Sequence, residues 1–209
     1  MAKFRSMMAV VAAALVLAGS SVADAWTENW DSIRSSAQQM QSIEANFVQT
    51  RTLKILTRPI TSRGVLLYRR PADLRWEYTS PVKSVLVMKG GNAGRYIRRG
   101  DRWVADSSAK LDAMKVVLGE INLWLGGNFS QSKTFKPELK PGNPATVEMI
   151  PIEPTLRNII SKIVITLGKD PGTVDSIDIH EGAEGTTHIV FSNVKYNQPI
   201  ADDRFGPVQ

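Results

Sequence analysis

Apolar and polar residues change period repeatedly along this chain, and each change marks an element. Trp30, Ile33, Ala37 and Met40 follow Trp26 at steps of four and three, with Ser, Gln and Asp on the other faces. That spacing predicts an amphipathic helix, with Thr27 placed to cap it. From Ile43 the period falls to two: Ala45, Phe47, Gln49, Arg51, Leu53 and Ile55 share one face of a strand, and Asn46, Val48, Thr50 and Thr52 the other. A turn follows near Arg58-Pro59. Short strands are then expected at Ile60 to Arg70, Leu74 to Thr79, Ser84 to Met88, Gly94 to Ile97 and Arg102 to Ala105. Pro, Gly or Asp separates them, as in a meander of sequential antiparallel hairpins.

Between Ser107 and Leu125 the helical period returns. Leu111, Met114, Val117, Leu118, Ile121 and Leu125 fall on one face, Trp124 lies nearby, and Gly126-Gly127 ends the helix. Further strands are expected at Phe129 to Phe135, Ala145 to Ile152, Ile159 to Leu167, Thr173 to His180 and Thr186 to Phe191, while Lys136 to Pro144 reads as a Pro-rich loop. Two groups of strands, one helix before them and one between them, predict a mainly β fold with helices (α+β). Its form is a curved antiparallel sheet or incomplete barrel, with amphipathic helices applied to one side as a lid.

Residues 1–25 stand outside this pattern. Lys3 and Arg5 precede an apolar run from Met7 to Leu17, then small residues and an Ala23-Asp24-Ala25 site, which reads as a cleavable secretory signal. The run is too short to span a bilayer, so one exported domain is expected over residues 26–209. The chain has no cysteine, which excludes a disulfide framework, a thiolate metal site and a lipid-attachment cysteine. Removing Lys3, Arg5 and Asp24 from 26 basic and 20 acidic residues leaves 24 and 19, a charge of +5. For an exported protein, the acidic partners this favours are anionic headgroups or acidic protein faces rather than nucleic acid. Arg51, Lys54, Arg58, Arg63, Arg69, Arg75, Arg95, Arg98, Arg99 and Arg102 crowd the first group of strands. A dispersed, solvated face accounts for them, and a shared rim would make them a salt-sensitive docking surface.

Catalytic chemistry finds little support. His180 and His188 are the only histidines and neither sits in a metal or nucleophile motif. Asp202-Asp203 and Glu181 with Glu184 read as solvated acids, and Lys89 to Gly94 reads as a hairpin turn, since no Gly-Lys-Ser/Thr end or helix follows it. No cofactor and no enzymatic activity are expected.

The segment from Leu66 to Pro81 carries more. Leu66, Tyr68, Leu74, Trp76 and Tyr78 alternate as in a half-buried sheet, and Pro71 marks the turn between two strands. Arg70, Pro71, Leu74, Trp76 and Pro81 resemble the Arg-Pro-x-x-(Phe/Leu)-x-Trp segment of periplasmic outer-membrane lipoprotein carrier proteins, the LolA family. Ile43 to Gln49 is similar to that family's first strand. Ile163 to Thr166, Thr173 to Ile179 and Thr186 to Asn197 are similar to its late strands, with Pro199, Ile200 and Phe205 in its closing segment. Two places depart from the pattern: the turn Lys89 to Tyr96 differs in chemistry, and Leu74 stands where an aromatic residue is frequent.

The resemblance implies an unclosed antiparallel barrel whose concave apolar face, covered by helices, accepts acyl chains. It implies a periplasmic chaperone that carries lipoproteins from an inner-membrane ABC exporter to an outer-membrane acceptor lipoprotein, with transient membrane-surface contact, as a monomer. The departures leave open a carrier of another lipid or glycolipid, or a lipid-sensing envelope regulator of the same fold. Arg70 matches the family arginine that bonds lid carbonyls. Read from the strand pattern, it shares a face with Leu66 and Tyr68 and points into the cavity, where a guanidinium must find acceptors; a surface position beside Arg69 is the alternative. Phe47, Leu66, Tyr68, Leu74, Trp76 and Leu86 are candidate walls, and Trp30, Ile33, Met114 and Leu118 candidate lid residues, although core packing also explains each of them. Ten acyl methylenes at about 0.8 kcal/mol each would supply about 8 kcal/mol before ordering costs, enough for carriage.

Overall fold

The computed structural model describes residues 29–106, 110–170, 172–182 and 185–206, and of residues 110–117 the helical backbone only. The signal segment, Trp26 and Thr27 lie outside the described residues, as do the side chains of Leu111, Met114 and Val117.

Helix α1 (Trp30–Gln38) starts at Asn29, not at Thr27. The Asn29 Oδ1 accepts from the backbone N–H groups of Asp31 and Ser32 at 3.0 and 2.9 Å, and the Ser32 hydroxyl accepts from the Asn29 N–H at 3.0 Å. This reciprocal box satisfies donors that the first turn would leave open. Ile33 and Ala37, one turn apart, are its buried face.

Among the described residues, eleven strands form one antiparallel sheet. They are β1 (Ser42–Leu53), β2 (Ile60–Arg69), β3 (Asp73–Ser80), β4 (Ser84–Lys89), β5 (Asn92–Arg99), β6 (Arg102–Ala105), β7 (Phe135–Lys140), β8 (Thr146–Pro151), β9 (Lys162–Leu167), β10 (Val174–Glu181) and β11 (Gly185–Tyr196). The spatial order is β6-β5-β4-β3-β2-β1-β11-β10-β9-β8-β7, so β6 and β7 are free edges and the sheet does not close. The two meanders meet where β1 pairs with β11, the first strand with the last. Helix α2 (Lys110–Leu125) links the outer strand of one meander to the outer strand of the other.

Register explains which face is buried. Ile43, Ala45 and Phe47 of β1 stand opposite Tyr68, Leu66 and Gly64 of β2, and these stand opposite Leu74, Trp76 and Tyr78 of β3. On the other side Ile189 faces Ile177, Ile177 faces Ile165, and Ile165 faces Val147. With one side-chain direction per parity, these rows make one continuous apolar concave surface. Gly64 sits where it must be glycine: a Cβ there would collide with the Phe47 ring and with the Glu77 carbonyl oxygen. The space goes to Phe47, which reaches over β2 to meet Tyr78 edge-on at 5.3 Å between centroids.

Several expectations need correction. Phe129 to Phe135 is not a strand: Phe129–Gln131 is a single 3₁₀ turn, and β7 occupies residues read as a loop. Pro137 made that reading natural, but β7 is an edge, where a residue without an N–H is tolerated. The turn Pro154–Arg157, helix α3, was not expected. Ile55 does not continue the face of β1; it lies past the strand end and is 81% exposed. β11 runs on to Tyr196, beyond the expected end at Phe191.

The convex side has its own small core. Leu67, Val85 and Val87 are buried there beneath a 3₁₀ strap, Asp202–Phe205, whose Phe205 is buried. Arg69 lies over the Phe205 ring at 4.7 Å and pairs with Asp202 at 2.6 Å, while Lys89 pairs with Asp202 at 2.5 Å. Arg69 and Arg75 therefore clamp the strap rather than join a common basic rim; Arg75 Nη1 donates to the Arg204 carbonyl at 3.3 Å.

Candidate functional site

The concave face is capped differently at its two ends. At one end lie the start of β1 and the end of β11, and there α1 seals the trough. Gly127, at φ +70°, and Gly172, at φ +76°, bring the chain against its back: a Cβ on either would come within 2.8 Å of Ala37 atoms. Asn197, at φ +57°, ties the helix end down. Its Nδ2 donates to the Gln39 carbonyl at 3.2 Å, and its Oδ1 accepts from the Gln41 N–H at 2.7 Å.

The β2–β3 corner reaches both helices. Arg70 follows the last residue of β2 and is half-buried, on the side of Tyr68 that the strand pattern suggests and turned toward α1. Its Nη1 donates to the Gln38 carbonyl at 3.2 Å, and its N–H donates to the Gln41 carbonyl at 2.9 Å. The guanidinium also lies beside the Tyr68 hydroxyl, whose pKa burial raises and the arginine charge partly brings back. Two residues on, the Ala72 carbonyl accepts from Asn122 Nδ2 of α2 at 3.4 Å.

Beneath α2 is an inner chamber of about 40 Å³, walled by Ile43, Ala45, Leu66 and Trp76 from the first meander and Ile165, Ile177, Phe191 and Tyr196 from the second. Met40, Ile121, Trp124 and Leu125 close it from the helical side. Toward the other end a wider cavity of about 510 Å³ opens between β2–β5 and β10–β11. It is lined by Trp76, Leu86, Ile97, Ile179 and Ile189, with Pro81 and Val82 at its lip. Its polar groups are few: Gln49, Ser62, Tyr78, Ser84 and Arg95. Gln49 Oε1 accepts from the Tyr78 hydroxyl at 2.8 Å, and Arg95 pairs with Asp106 at 2.7 Å. Burial raises the Tyr78 pKa against the neighbouring Trp76 indole N–H and Arg95. That indole nitrogen is itself buried without meeting hydrogen-bond geometry to any acceptor. Beside the opening, Arg51 pairs with Glu181, whose carboxylate also accepts from the Thr187 hydroxyl at 2.5 Å.

Of the residues expected to line the cavity, Leu66 and Trp76 wall the inner chamber, and Trp76 and Leu86 the outer one. Phe47, Tyr68, Leu74, Ile33 and Leu118 are fully buried core, off both walls; Trp30 is partly buried and packs on Phe129 at 5.9 Å. Met114 lies among the side chains outside the described residues. Phe191, Ile177 and Ile165 were not singled out, although the alternation of the late strands carried the signal. Among the described residues no cluster of His, Cys, Asp and Glu could hold a metal ion, and no helix is long and apolar enough to cross a membrane.

An open antiparallel sheet with helices over an apolar trough is the arrangement that the corner's resemblance implied. The family model for the outer membrane lipoprotein carrier protein LolA matches residues 38–207. The chain belongs to the LolA family. An outer-membrane lipoprotein carrier protein of Nitrosospira multiformis is 23% identical over 182 residues, covering 83% of this chain and 81% of the relative. Among solved structures, a LolA superfamily protein of Nitrosomonas europaea matches with a TM-score of 0.42 at 9% identity, over 86% of this chain and 98% of that one. The MucA/MucB complex of Pseudomonas aeruginosa matches with a TM-score of 0.48 at 13% identity, over 86% of this chain and 60% of that one. LolA-family proteins are carriers rather than enzymes, and what they carry is lipoprotein.

Proposed function

We propose that this LolA-family chain is a periplasmic chaperone that holds the acyl chains of lipoproteins in its trough and carries them from the inner to the outer membrane. Residues 1–25 are its export signal. The observation that carries the reading is the two-part apolar space between the concave face and α2, which offers hydrocarbon walls with a few polar groups near the opening. No bond is broken and no cofactor is used: transfer depends on the difference in acyl affinity between carrier, membrane and acceptor.

Loading takes place at the open end. Eight large apolar side chains are exposed among the described residues, and six of them, Ile55, Leu56, Ile60, Val82, Ile152 and Ile159, stand on hairpin tips or connections at that end. Lys54, Arg58 and Lys83 flank them. Apolar tips beside cations suit brief contact with an anionic lipid surface or with the acidic face of an exporter or acceptor. The deciding experiment is purification of the mature chain with a triacylated lipoprotein, followed by mass spectrometry of what copurifies from the periplasm. A soluble one-to-one complex is expected. Failure to solubilise lipoprotein, with another lipid in its place, would reassign the cargo; failure to hold any lipid would end the carrier reading.

A further inference from the structure

The trough is two spaces in series, and among the described residues Trp76 and Ile121 are the two that wall both. We infer that Trp76 and Ile121 form a waist that gauges acyl-chain length, separating an outer subsite for the first part of the chain from an inner seat for its methyl end. This deepens the carrier reading and rests on it.

The two sides of the waist differ in mechanical character. Trp76 belongs to an aromatic bar across the sheet: it meets Phe47 at 4.7 Å and, edge-on, Phe191 of β11 at 6.1 Å. Rings locked on three strands of one ladder do not move independently. Ile121 faces them from α2, is only partly buried, and sits one residue from the 3.4 Å bond between Asn122 and Ala72. The movable side is therefore Ile121. At about 40 Å³ the inner chamber holds little more than one water-sized group at rest. A chain enters it only by displacing Ile121.

Polarity orders the two subsites. Gln49, Tyr78 and Arg95 stand in the outer cavity. An ester carbonyl is stabilised there and not in the inner chamber, so the methyl end leads. Affinity should climb with chain length until the end reaches the waist, and then level off.

The test is displacement of a fluorescent acyl probe from the full mature chain by straight-chain acids from octanoate to stearate. Wild type is expected to tighten by about fourfold per methylene among the short acids and to plateau among the long ones. Ile121→Ala, which removes the waist, should continue the climb, binding palmitate at least about tenfold more tightly than wild type while octanoate stays within about twofold. Val174→Phe, filling the inner chamber from a partly exposed position, should cancel that gain in the double variant. If Ile121→Ala does not fold, Ile121→Met keeps the volume with a more adaptable shape and should extend the climb by a smaller step. A chain-length profile identical in wild type and in the folded Ile121 variant overturns the waist and leaves the carrier standing. Failure of every acid and of the probe to bind overturns both.

Discussion

Replacing Arg70 by leucine should loosen α1 without unfolding the sheet, and the size of the effect follows from the contacts. The guanidinium donates one 3.2 Å bond to the Gln38 carbonyl at the end of α1, a half-exposed site, which places it at the low end for a charged donor, about 1 kcal/mol. α1 has no basic residue in its last turn, so the Arg70 guanidinium on the Gln38 carbonyl also supplies a cation at its negative pole, worth a few tenths of a kcal/mol to about 1 more. The backbone bond from Arg70 N–H to Gln41 survives the substitution. A loss of about 1 to 2 kcal/mol multiplies the population with α1 released by about five- to thirtyfold. Hydrogen exchange reads this directly: amides of α1 should lose protection by that factor while those of β1 and β11 keep theirs. If release of α1 admits cargo, acyl-probe affinity rises in parallel, and Arg70→Lys, which keeps the charge, falls between. Unchanged protection in α1 together with unchanged probe affinity would refute the role of Arg70 as a tie.

Gly127→Ala should destabilise by about 2 to 3 kcal/mol in chemical denaturation, since it adds a Cβ at φ +70° and 2.8 Å from the Ala37 Cβ. Phe205→Ala should cost about 3 kcal/mol by opening the convex core, and should leave the acyl-chain profile unchanged because the strap lies on the other face. Burial pushes the Glu181 carboxyl up, but hydrogen bonds from Arg51 and Thr187 and the arginine charge outweigh it and hold the group below its ordinary value of 4.5. A depressed folded-state pKa adds stability above the unfolded value and loses it as pH falls through the folded one. The melting temperature should therefore drop on acidification below pH 4.5, less steeply in Glu181→Gln. Val82→Asp with Ile55→Asp should abolish sedimentation with anionic vesicles, and salt should weaken the binding of wild type.

The first meander was legible because its strands are half-buried: one face is apolar, the other polar, and turn residues punctuate each hairpin. β7 was not legible, because an edge strand tolerates proline and exposes every second residue, which is also how a loop reads. Arg70 was marked by its motif and by a strand parity that put it on the side of Tyr68, and what neither showed was its acceptor. That acceptor, the Gln38 carbonyl, is set by where α1 ends. Asn197 was visible only as part of a family segment; its two bonds to the end of α1 join positions over 150 residues apart, and no local pattern encodes them. The waist was hidden for a similar reason. Trp76 was read as a wall residue and Ile121 as one of a helical stripe, and only the placement of α2 over β3 makes them a pair.

That placement also gives the trough a direction. The end that α1 closes is held by glycines pressed against its back and by Asn197 and Arg70 at its C-terminus, contacts that leave little room for a ligand. At the opposite end the hairpin tips carry exposed apolar groups, and the cavity walls carry the polar ones. A single acyl chain entering there gains hydrocarbon contact with every methylene, but its ester loses hydrogen bonds if it follows past Trp76. Depth is therefore set by two opposing terms that act at the same place on the sheet. Cargo with long chains pushes on Ile121 and hence on α2, whose polar link to the β2–β3 corner lies one residue away. That corner is tied to both helices, by Asn122 Nδ2 on the Ala72 carbonyl and by Arg70 Nη1 on the Gln38 carbonyl, so a substitution that frees either bond tests whether occupancy of the trough and protection of α1 change together.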